Sequence, residues 1–317
     1  MIEIDHLTKR YGDIIAVDDL SVTIADNHIY GFLGPNGAGK TTTLNMITGC
    51  LAADSGEVTI DGYNLLRAPR EAKRQIGYLP EQPPLYDDMT PEEFLNFVGD
   101  AKGLRGEKRH AAVESAVQKT GLSEVRRRLI RNLSKGYRQR VGIAQAILGE
   151  PQTIILDEPT VGLDPLQVTE VRSLIQELGK THTVIFSSHI LSEVSALCDR
   201  ILILSHGKLM AEDTPERLSA RKPGIYRVVV TVRGELEKVM SVLHKIKGIN
   251  PQLLSSEAGE IQVLLESSSD VRAHISQALA TAHISLLGMS LETASLEDVF
   301  LELTRDDPHD STEKGDR

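Results

Sequence analysis

Glycine, lysine and threonine crowd into one short stretch near the amino terminus, GPNGAGKTT at residues 34–42. The apolar run HIYGFLG leads into it, and a helix is predicted to begin near Lys40 and to end at Gly49. The spacing matches the pattern G-x-x-x-x-G-K-[ST], in which glycines free backbone N–H groups to point at phosphate oxygens. The helix N-terminus adds its positive end. A phosphate cradle between a buried strand and a helix is therefore predicted.

Each residue type in this cradle has a predicted task. Lys40 reaches the β- and γ-phosphates of a nucleotide, the Thr41 hydroxyl is a ligand for Mg²⁺, and Thr42 bonds the phosphates. A plain glycine-rich turn would not need the lysine. A dinucleotide site is disfavoured because the third glycine of G-x-G-x-x-G is missing. The predicted phosphate-binding residues are Gly34, Pro35, Asn36, Gly37, Ala38, Gly39, Lys40, Thr41 and Thr42.

Two acidic residues close a second apolar strand, TIILDE at residues 153–158. A phosphate cradle needs a metal-binding carboxylate at the end of a neighbouring strand, and Asp157 is predicted to hold Mg²⁺ through water. Glu158 comes next, where its carboxylate can accept a proton from an attacking water. An isolated Asp-Glu pair would indicate only a solvated turn. Beside a phosphate cradle, the pair predicts hydrolysis.

Length and composition narrow the class of molecule. The chain has 317 residues, enough for two domains, and its net charge of −10 argues against a protein whose main partner is nucleic acid. Cys50 and Cys198 lie far apart, which excludes a disulfide framework and favours a reducing compartment. The amino-terminal residues do not resemble a signal peptide, and no apolar run approaches about 20 residues. We therefore expect a cytosolic chain that reaches a membrane only through another protein.

The elements that must position these side chains follow from the apolar periodicity. A helical region is predicted from Thr90 to about Glu150, opening with a Thr cap and a proline. Apolar strands alternate with amphipathic helices after it, which predicts a mostly parallel sheet covered on both faces, an α/β fold. The short strands near the amino terminus are expected to be antiparallel. The predicted strands are 2–4, 20–24, 28–34, 57–61, 75–80, 153–158, 183–188 and 200–204.

The pattern changes after ARKPG (220–224), which we interpret as a linker. Alternating strands and amphipathic helices predict a small α+β domain at 224–304. If residues 249–254 form a strand, the order is βαββαβ, a ferredoxin-like split. A last helix, SLEDVFLEL, is predicted to start with Ser295 as its cap. The polar residues 305–317 are predicted to be disordered.

With the two phosphate-site motifs placed, the stretch LSKGYRQR (133–140) carries a family resemblance. It resembles LSGGQ-x-QR, the signature of ABC ATPases, and it precedes ILDEP by a short helix. The chain thus resembles an ATP-binding subunit of an ABC transporter over residues 1 to about 215. The resemblance implies a P-loop NTPase fold with an ABC ATPase domain at 1–219. That domain would combine a mixed sheet core, an antiparallel β subdomain and a helical subdomain at about 85–150.

The resemblance also implies roles for single residues outside these motifs. Tyr11 falls at the position that stacks on adenine. Gln82 falls at the Q-loop glutamine, which implies a catalytic and metal-binding residue that links the Mg²⁺ site to the membrane partner. Asp164, in GLDP, resembles the D-loop aspartate that reaches the opposing site. His189 resembles the switch histidine, a catalytic residue that contacts the γ-phosphate.

The signature itself departs from the family pattern. Ser134 and Gly136 remain, and a helix that begins there offers a second anion site. One chain then carries two separate half-sites, so two chains must pair head to tail around two nucleotides. Lys135 replaces Gly and Tyr137 replaces Gln. The lysine either adds positive charge near the opposing phosphates or faces solvent, and both alternatives stay open.

The resemblance implies an ATPase with ATP and Mg²⁺ as cofactors, an integral membrane permease as partner, a second ATPase subunit as in a homodimer, and no nucleic acid. The carboxy-terminal region resembles the extra domain of ABC-2-type subunits of the gliding-motility and export kinds, which favours export. Its most specific piece is SLEDVFLELT (295–304). A soluble ABC ATPase acting on ribosomes or DNA is disfavoured by the single phosphate cradle and the acidic charge. A scaffold that binds ATP without using it is disfavoured by Glu158 and His189. The residues do not name the cargo.

Overall fold

The computed structural model describes residues 1–220, 226–257, 259–267, 269–292 and 296–304. The chain falls into two compact units, Met1–Pro215 and Glu216–Arg305, and each has its own hydrophobic core. The predicted linker at 220–224, apart from Ala220, and the predicted disordered tail at 305–317 lie outside the described residues.

A six-stranded sheet forms the centre of the first unit, and its strand order is β10-β9-β3-β8-β7-β6. Its strands are β3 (Ile29–Leu33), β6 (Ile76–Leu79), β7 (Thr153–Leu156), β8 (Thr183–Ser188), β9 (Arg200–Ser205) and β10 (Lys208–Asp213). Neighbouring strands are parallel except β10, which is antiparallel to β9. Strands β3, β7 and β8 are buried along their whole length, as continuous apolar runs in a parallel sheet require. Strand β10 was not predicted, because half of its residues are charged and only Ala211 is buried.

Four helices directly precede or follow strands of this sheet: α1 (Lys40–Ile47), α2 (Pro69–Arg74), α6 (Pro165–Gly179) and α7 (Leu191–Leu197). Helix α6 connects β7 to β8, and α7 connects β8 to β9. The buried residues of α6 are Val171, Ile175 and Leu178, spaced three or four apart as an amphipathic helix requires. Gly49 follows α1 with a φ of +66°, the left-handed conformation that ends a helix. The predicted helix start at Lys40 is confirmed.

An antiparallel sheet in the order β2-β1-β4-β5 completes the core of the first unit. Its strands are β1 (Ile2–Tyr11), β2 (Ile14–Ile24), β4 (Ser55–Ile60) and β5 (Tyr63–Asn64). Strands β1 and β2 extend well beyond the predicted 2–4 and 20–24. Register shifts between Ile4 and Arg10 interrupt the simple alternation on which the prediction relied. The longer β1 carries Tyr11 at its far end.

The predicted helical region contains α3 (Pro91–Ala101), α4 (Gly106–Lys119), a short 3₁₀ turn (Ile130–Asn132) and α5 (Lys135–Ile147). Thr90 caps α3 as predicted, and Glu93 completes a capping box with it. Lys102 follows α3, and its ammonium donates to three carbonyl groups at the carboxyl end of α5. These hydrogen bonds fix α5, the helix that carries most of the signature, against α3.

The second unit contains four strands and four helices among the described residues. Its helix α8 (Pro215–Ala220) is followed by β11 (Tyr226–Arg233), α9 (Leu236–His244), β12 (Ile249–Glu257), β13 (Glu260–Ser267), α10 (Arg272–Thr281), β14 (Ser285–Glu292) and α11 (Leu296–Thr304). The sheet is antiparallel in the order β12-β13-β11-β14, the order of a ferredoxin-like split. Arg227 joins Glu266 of β13 (2.9 Å) to Asp298 of α11 (2.6 Å). The predicted cap Ser295 lies outside the described residues.

Across the described ranges, no helix is both long and apolar enough to cross a bilayer. The longest of them, α6, has 15 residues.

Candidate nucleotide site

The carboxyl ends of three parallel strands bring the predicted functional residues to one edge of the central sheet. Leu33 of β3 pairs with Ser188 of β8, and Leu156 of β7 pairs with Phe186 of β8. Residues that follow parallel strands leave the sheet on the same side, which is where ligands bind in such folds. The phosphate loop, the Asp-Glu pair and His189 therefore start from neighbouring positions although they are far apart in sequence.

The loop before α1 has the backbone that its glycines predict. Gly37 and Gly39 have φ values of +83° and +96°, which other residues rarely adopt. A Cβ on Gly39 would also collide with the carbonyl oxygen of Ala16. No side chain caps the start of α1. The backbone N–H groups of its first turn thus have no side-chain competitor for a phosphate oxygen.

Lys40 is the buried cation of this site, with only 6% of its surface exposed. Its Nζ donates to the carbonyl oxygens of Gly34 (2.8 Å) and Pro35 (3.3 Å) and lies 3.5 Å from Oε1 of Glu158. A buried ammonium is costly unless it is paired and hydrogen-bonded. These contacts satisfy it, and they fold the side chain back over the loop beside a carboxylate.

Asp157 is fully buried and offers one free oxygen. Its Oδ1 accepts hydrogen bonds from the Thr41 hydroxyl (3.2 Å) and from the Ser187 hydroxyl (2.6 Å). Its Oδ2 is buried and has no hydrogen-bond partner within the part of the chain that is described. A buried carboxylate oxygen without a partner is costly, so a bound cation would satisfy it. Because Mg²⁺ is usually held by one or two carboxylates together with substrate phosphates and water, Thr41 and Asp157 fit that ion.

No larger metal cluster competes with this interpretation. Among the described residues, no group of three or more His, Cys, Asp or Glu side chains could hold a metal ion. A metal here would therefore depend on the nucleotide for most of its ligands, which is the usual situation for Mg²⁺ in phosphate-transferring sites.

Glu158 stands between two basic groups on a strained backbone. Its φ is +47°, which is uncommon for a residue with a side chain and is often found where function constrains the chain. One carboxylate oxygen faces Lys40, and the other lies 3.0 Å from Nδ1 of His189. The Glu158 N–H donates to the Ser187 hydroxyl (2.8 Å), which holds the carboxylate at the end of β7.

Two residues that support the site were not predicted from the sequence. Ser187 contacts both Asp157 and the Glu158 backbone, so one hydroxyl positions both acids. Glu193 is 2% exposed and accepts hydrogen bonds from Thr160 (2.7 Å) and Ser188 (3.0 Å). It therefore ties the loop after Glu158 to the strand before His189. The signals were the two serines that close the apolar strand β8 and an acid on the buried face of α7.

A cavity of about 480 Å³ lies over the phosphate loop. It collects most of the predicted residues, including Tyr11, which is 50% exposed at the end of β1. Asp157 does not line the cavity and lies behind Thr41. The cavity is lined by Tyr11, Ala16, Asn36, Gly37, Ala38, Gly39, Lys40, Thr41, Thr42, Glu81, Glu158, Val161 and His189.

Gln82 does not line this cavity, although the sequence places it at the Q-loop position. Its neighbour Glu81 does, and Gln82 lies instead in an adjoining cavity of about 420 Å³. Consecutive residues of a bending loop face different sides. The family resemblance placed the Q-loop glutamine at Gln82, and a resemblance in sequence does not show which way a side chain points. The acid at position 81 was not considered in the sequence analysis.

The signature and D-loop residues lie together but outside the nucleotide cavity of their own chain. Ser134 caps α5 and accepts the N–H of Tyr137 (3.4 Å). Asp164 caps α6 and accepts the N–H of Gln167 (2.9 Å). Gly136 is buried against that same Gln167, since a Cβ on Gly136 would come within 2.6 Å of its side chain. The first turns of α5 and α6 thus contact each other.

Strand β6, which leads to Glu81 and Gln82, is hydrogen-bonded to helices α1 and α5. The Tyr78 hydroxyl donates to the side chain of Asn45 in α1 (2.9 Å). Gln145 of α5 donates to the Tyr78 carbonyl (3.0 Å). Burial, with the nearby charge of Asp157, raises the pKa of Tyr78 well above its usual range. The phenol therefore stays protonated and keeps this hydrogen bond at physiological pH.

Comparison with known proteins agrees with this geometry. The ABC transporter family matches residues 17–161, a span that holds the phosphate loop, the signature and the Asp-Glu pair. The linearmycin resistance ATP-binding protein LnrL of Bacillus subtilis (strain 168) is 33% identical over 306 residues, which are 96% of this chain and 98% of that protein. The bacitracin transport ATP-binding protein BcrA of Bacillus licheniformis is 34% identical over 309 residues, 96% and 97% of the two chains.

Solved structures of ABC cassettes share the fold. An ATP-binding subunit of an ABC transporter matches with a TM-score of 0.63 and 31% identity, over 70% of this chain and 92% of its own. The dimeric bacterial ABC transporter cassette MJ0796 matches with a TM-score of 0.62 and 26% identity, over 68% of this chain and 98% of its own. A post-hydrolysis state of that cassette binds ADP and phosphate. The predicted fold class is confirmed.

The predictions of an ATP-binding protein, of ATPase activity and of an ABC-2-like export type are confirmed by these matches. The chain belongs to the ABC transporter family, as an ATP-hydrolysing subunit that dimerises and drives translocation through a separate membrane subunit.

Proposed function

We propose that the cavity over the phosphate loop binds one ATP and that residues of the same wall hydrolyse it. One observation carries the proposal: Lys40, Glu158 and His189 meet at contacts of 3.5 and 3.0 Å although they follow three different strands. Enzymes that transfer phosphoryl groups work mainly by positioning and by electrostatic stabilisation. A cation, a carboxylate and an imidazole gathered beside a glycine loop supply both.

ATP would enter with its phosphates toward the start of α1. The backbone N–H groups of the glycine loop and the first turn of α1 bind the β- and γ-phosphates, and Thr42 adds its hydroxyl. Lys40 exchanges the carbonyl oxygens of the loop for phosphate oxygens. The exposed ring of Tyr11 lies on the wall of the same cavity and stacks on the adenine.

Mg²⁺ is the proposed metal cofactor, and it would neutralise charge between the β- and γ-phosphates when bound. The Thr41 hydroxyl and the free Oδ2 of Asp157 would hold it. Ser187 keeps the other oxygen of Asp157 engaged and so keeps the carboxylate oriented. Of the residues predicted to bind the metal, Gln82 has the least support because it lines a different cavity.

Hydrolysis would use Glu158 as the general base. Its carboxylate lies 3.5 Å from the Lys40 ammonium. A bound phosphate takes over Lys40, which leaves Glu158 free to accept a proton from the water that attacks the γ-phosphorus. The bond between the γ-phosphorus and the bridging oxygen then breaks, and ADP and phosphate leave. His189 holds the second oxygen of Glu158 and donates a hydrogen bond to the γ-phosphate.

Two copies of this chain are proposed to share two ATP molecules. Ser134, Gly136 and Asp164 do not line the cavity of their own chain, so they are available for the cavity of a second copy. The capped amino end of α5 would approach the γ-phosphate across the dimer. Closure of the dimer would move the helical region at about 85–150 against an integral membrane permease. The chain would then work at the cytoplasmic face of the cell membrane, as an exporter subunit.

We assign the ATPase domain to residues 1–219 and an accessory domain to 224–304, with a role in regulation or dimer contact. The names of LnrL and BcrA, which refer to linearmycin resistance and bacitracin transport, support export as the direction of transport.

Replacement of Glu158 by Gln tests the catalytic assignment. The variant should bind ATP and accumulate as an ATP-bound dimer, while phosphate release falls about 1000-fold, the scale of a lost general base. Size-exclusion chromatography with ATP and a phosphate-release assay on the full chain measure the two effects. Glu177→Gln is the matched control, since Glu177 pairs with Lys180 on the exposed surface. Rapid turnover by Glu158→Gln would show that another group is the base.

A further inference from the structure

The adjoining cavity next to the nucleotide cavity joins three functional loops of the first unit. The two cavities share Glu81 and Val161 as wall residues. The adjoining cavity lies between the loop after β6, the first turn of α5 and the loop after β7. It is lined by Glu81, Gln82, Pro83, Leu85, Lys135, Arg138, Gln139 and Val161.

Three charged side chains line this adjoining cavity, and only one of them is paired with another described residue. Arg138 binds Asp87 at 2.6 Å. Within the ranges that the structure describes, neither the Glu81 carboxylate nor the Lys135 ammonium has a hydrogen bond or an ion pair. An acid and a base of opposite charge thus face one small space without partners.

The Lys135 side chain packs against a loop of its own chain. Its Nζ lies against Gly162, so closely that a Cβ at that position would collide with it. Gly162 has a φ of +68°, in the loop between Glu158 and Asp164. The ammonium is therefore held beside Val161, the residue that separates the two cavities, and its position corresponds to a glycine in the family signature.

A nearby cation would stabilise the Glu81 carboxylate. Its carboxylate lines the nucleotide cavity together with Glu158, and both carry negative charge where ATP brings several more. Like charges that share a site destabilise each other unless a cation offsets them. Lys40 already serves Glu158 and would serve the phosphates. Glu81 forms no ion pair with Lys40 within the described part of the chain, and Lys135 lines the adjoining cavity that Glu81 also lines.

We propose that Glu81 and Lys135 form a charge pair across the adjoining cavity when ATP is bound. The pair offsets the Glu81 carboxylate beside the phosphates and links the first turn of α5 to the nucleotide site of the same chain. Both are positioning residues that act through their neighbours. The acid on the wall of the nucleotide cavity and the lysine in the signature then compensate each other. The inference rests on the proposed nucleotide site.

Second-site rescue tests the pair. All variants carry Glu158→Gln, and the measurement is the ATP concentration that gives half-maximal dimer. Lys135→Met leaves Glu81 unpaired and should raise that concentration about 5-fold, the scale of an ion pair worth about 1 kcal/mol. Adding Glu81→Gln removes the repulsion and should restore the concentration to within about 2-fold. The Lys135→Met defect should also shrink at about 1 M salt, where charges are screened.

Arg138→Gln is the matched control, because Arg138 lines the same cavity but is already paired with Asp87. Glu81→Gln should not rescue it. Failure of Glu81→Gln to rescue Lys135→Met, or equal rescue of Arg138→Gln, would overturn the pair. A separate Lys40→Ala variant distinguishes a failure of the charge pair from a failure of the proposed nucleotide site. If that variant still dimerises with ATP at the original concentration, the nucleotide site itself is misplaced.

Discussion

Helices α1 and α5 both begin at predicted anion sites, yet their amino ends are built differently. Helix α1 follows a left-handed glycine, has no side-chain cap and places Lys40 in a buried position. Helix α5 follows Ser134, whose hydroxyl already accepts an N–H of its own first turn, and it opens with the exposed Lys135. The first end lines the nucleotide cavity of its own chain and the second does not. The contrast implies that α1 sets the affinity of a single chain for ATP, whereas α5 contributes only when two chains pair.

The largest effect should come from a substitution at the amino end of α1, which has no side-chain cap. Lys40→Ala removes the cation of the phosphate loop and leaves the Glu158 carboxylate buried without its partner, so ATP affinity should fall about 100-fold. Titration of the single chain with a fluorescent ATP analogue measures it. Lys180→Ala, on an exposed ion pair, is the control. An unchanged affinity would mean that α1 is not the phosphate site and would break the comparison.

An intermediate effect should come from a substitution at the amino end of α5, which Ser134 caps. Ser134→Ala should lower ATP turnover about 10-fold and leave the ATP affinity of the single chain within about 2-fold, because Ser134 lies outside that cavity. Loss of the cap also costs about 1 kcal/mol of stability, so thermal unfolding is measured alongside. Ser134→Thr keeps a hydroxyl and should retain most turnover. A parallel loss of affinity and turnover would place α5 at its own chain's site.

The smallest effect should come from Tyr137→Gln, which restores the family residue. Tyr137 supplies the capping bond through its backbone N–H, and its ring only stacks on Arg140 at 5.4 Å. Both residues are partly exposed, and such a contact is worth about 0.5–1 kcal/mol where water reaches it. Turnover should stay within about 2-fold, with a slightly lower midpoint in urea unfolding. A large change in turnover would give the ring a role across the dimer that the capped end does not suggest.

The candidate site was predictable to the extent that its chemistry is local. Lys40 and Thr41 follow from one nine-residue pattern, and Asp157 and Glu158 follow from two acids at the end of an apolar strand. Glu81 was not predicted because a single acid in a proline-rich loop matches no sequence motif. It reaches the cavity only because of the direction that the chain takes after β6. Glu193 was missed because its partners Thr160 and Ser188 lie on other elements.

The fold shows the same division. Strands β3, β7 and β8 were predicted because a continuous apolar run has few other uses in a soluble chain. Strand β10 was missed because its polar residues are mostly partly or fully exposed, and its pairing with β9 is a tertiary contact.

The spacing of Gly34 to Thr42 by itself predicts a phosphate site, since backbone conformation and helix polarity act over a few residues. The order of the later motifs determined the family. Only the tertiary structure decided which acid reaches the nucleotide cavity, which serine positions Asp157, and that Lys135 rests against Gly162. Those relations depend on the directions in which strands and loops leave a folded sheet, and side-chain direction at long range is a property of packing.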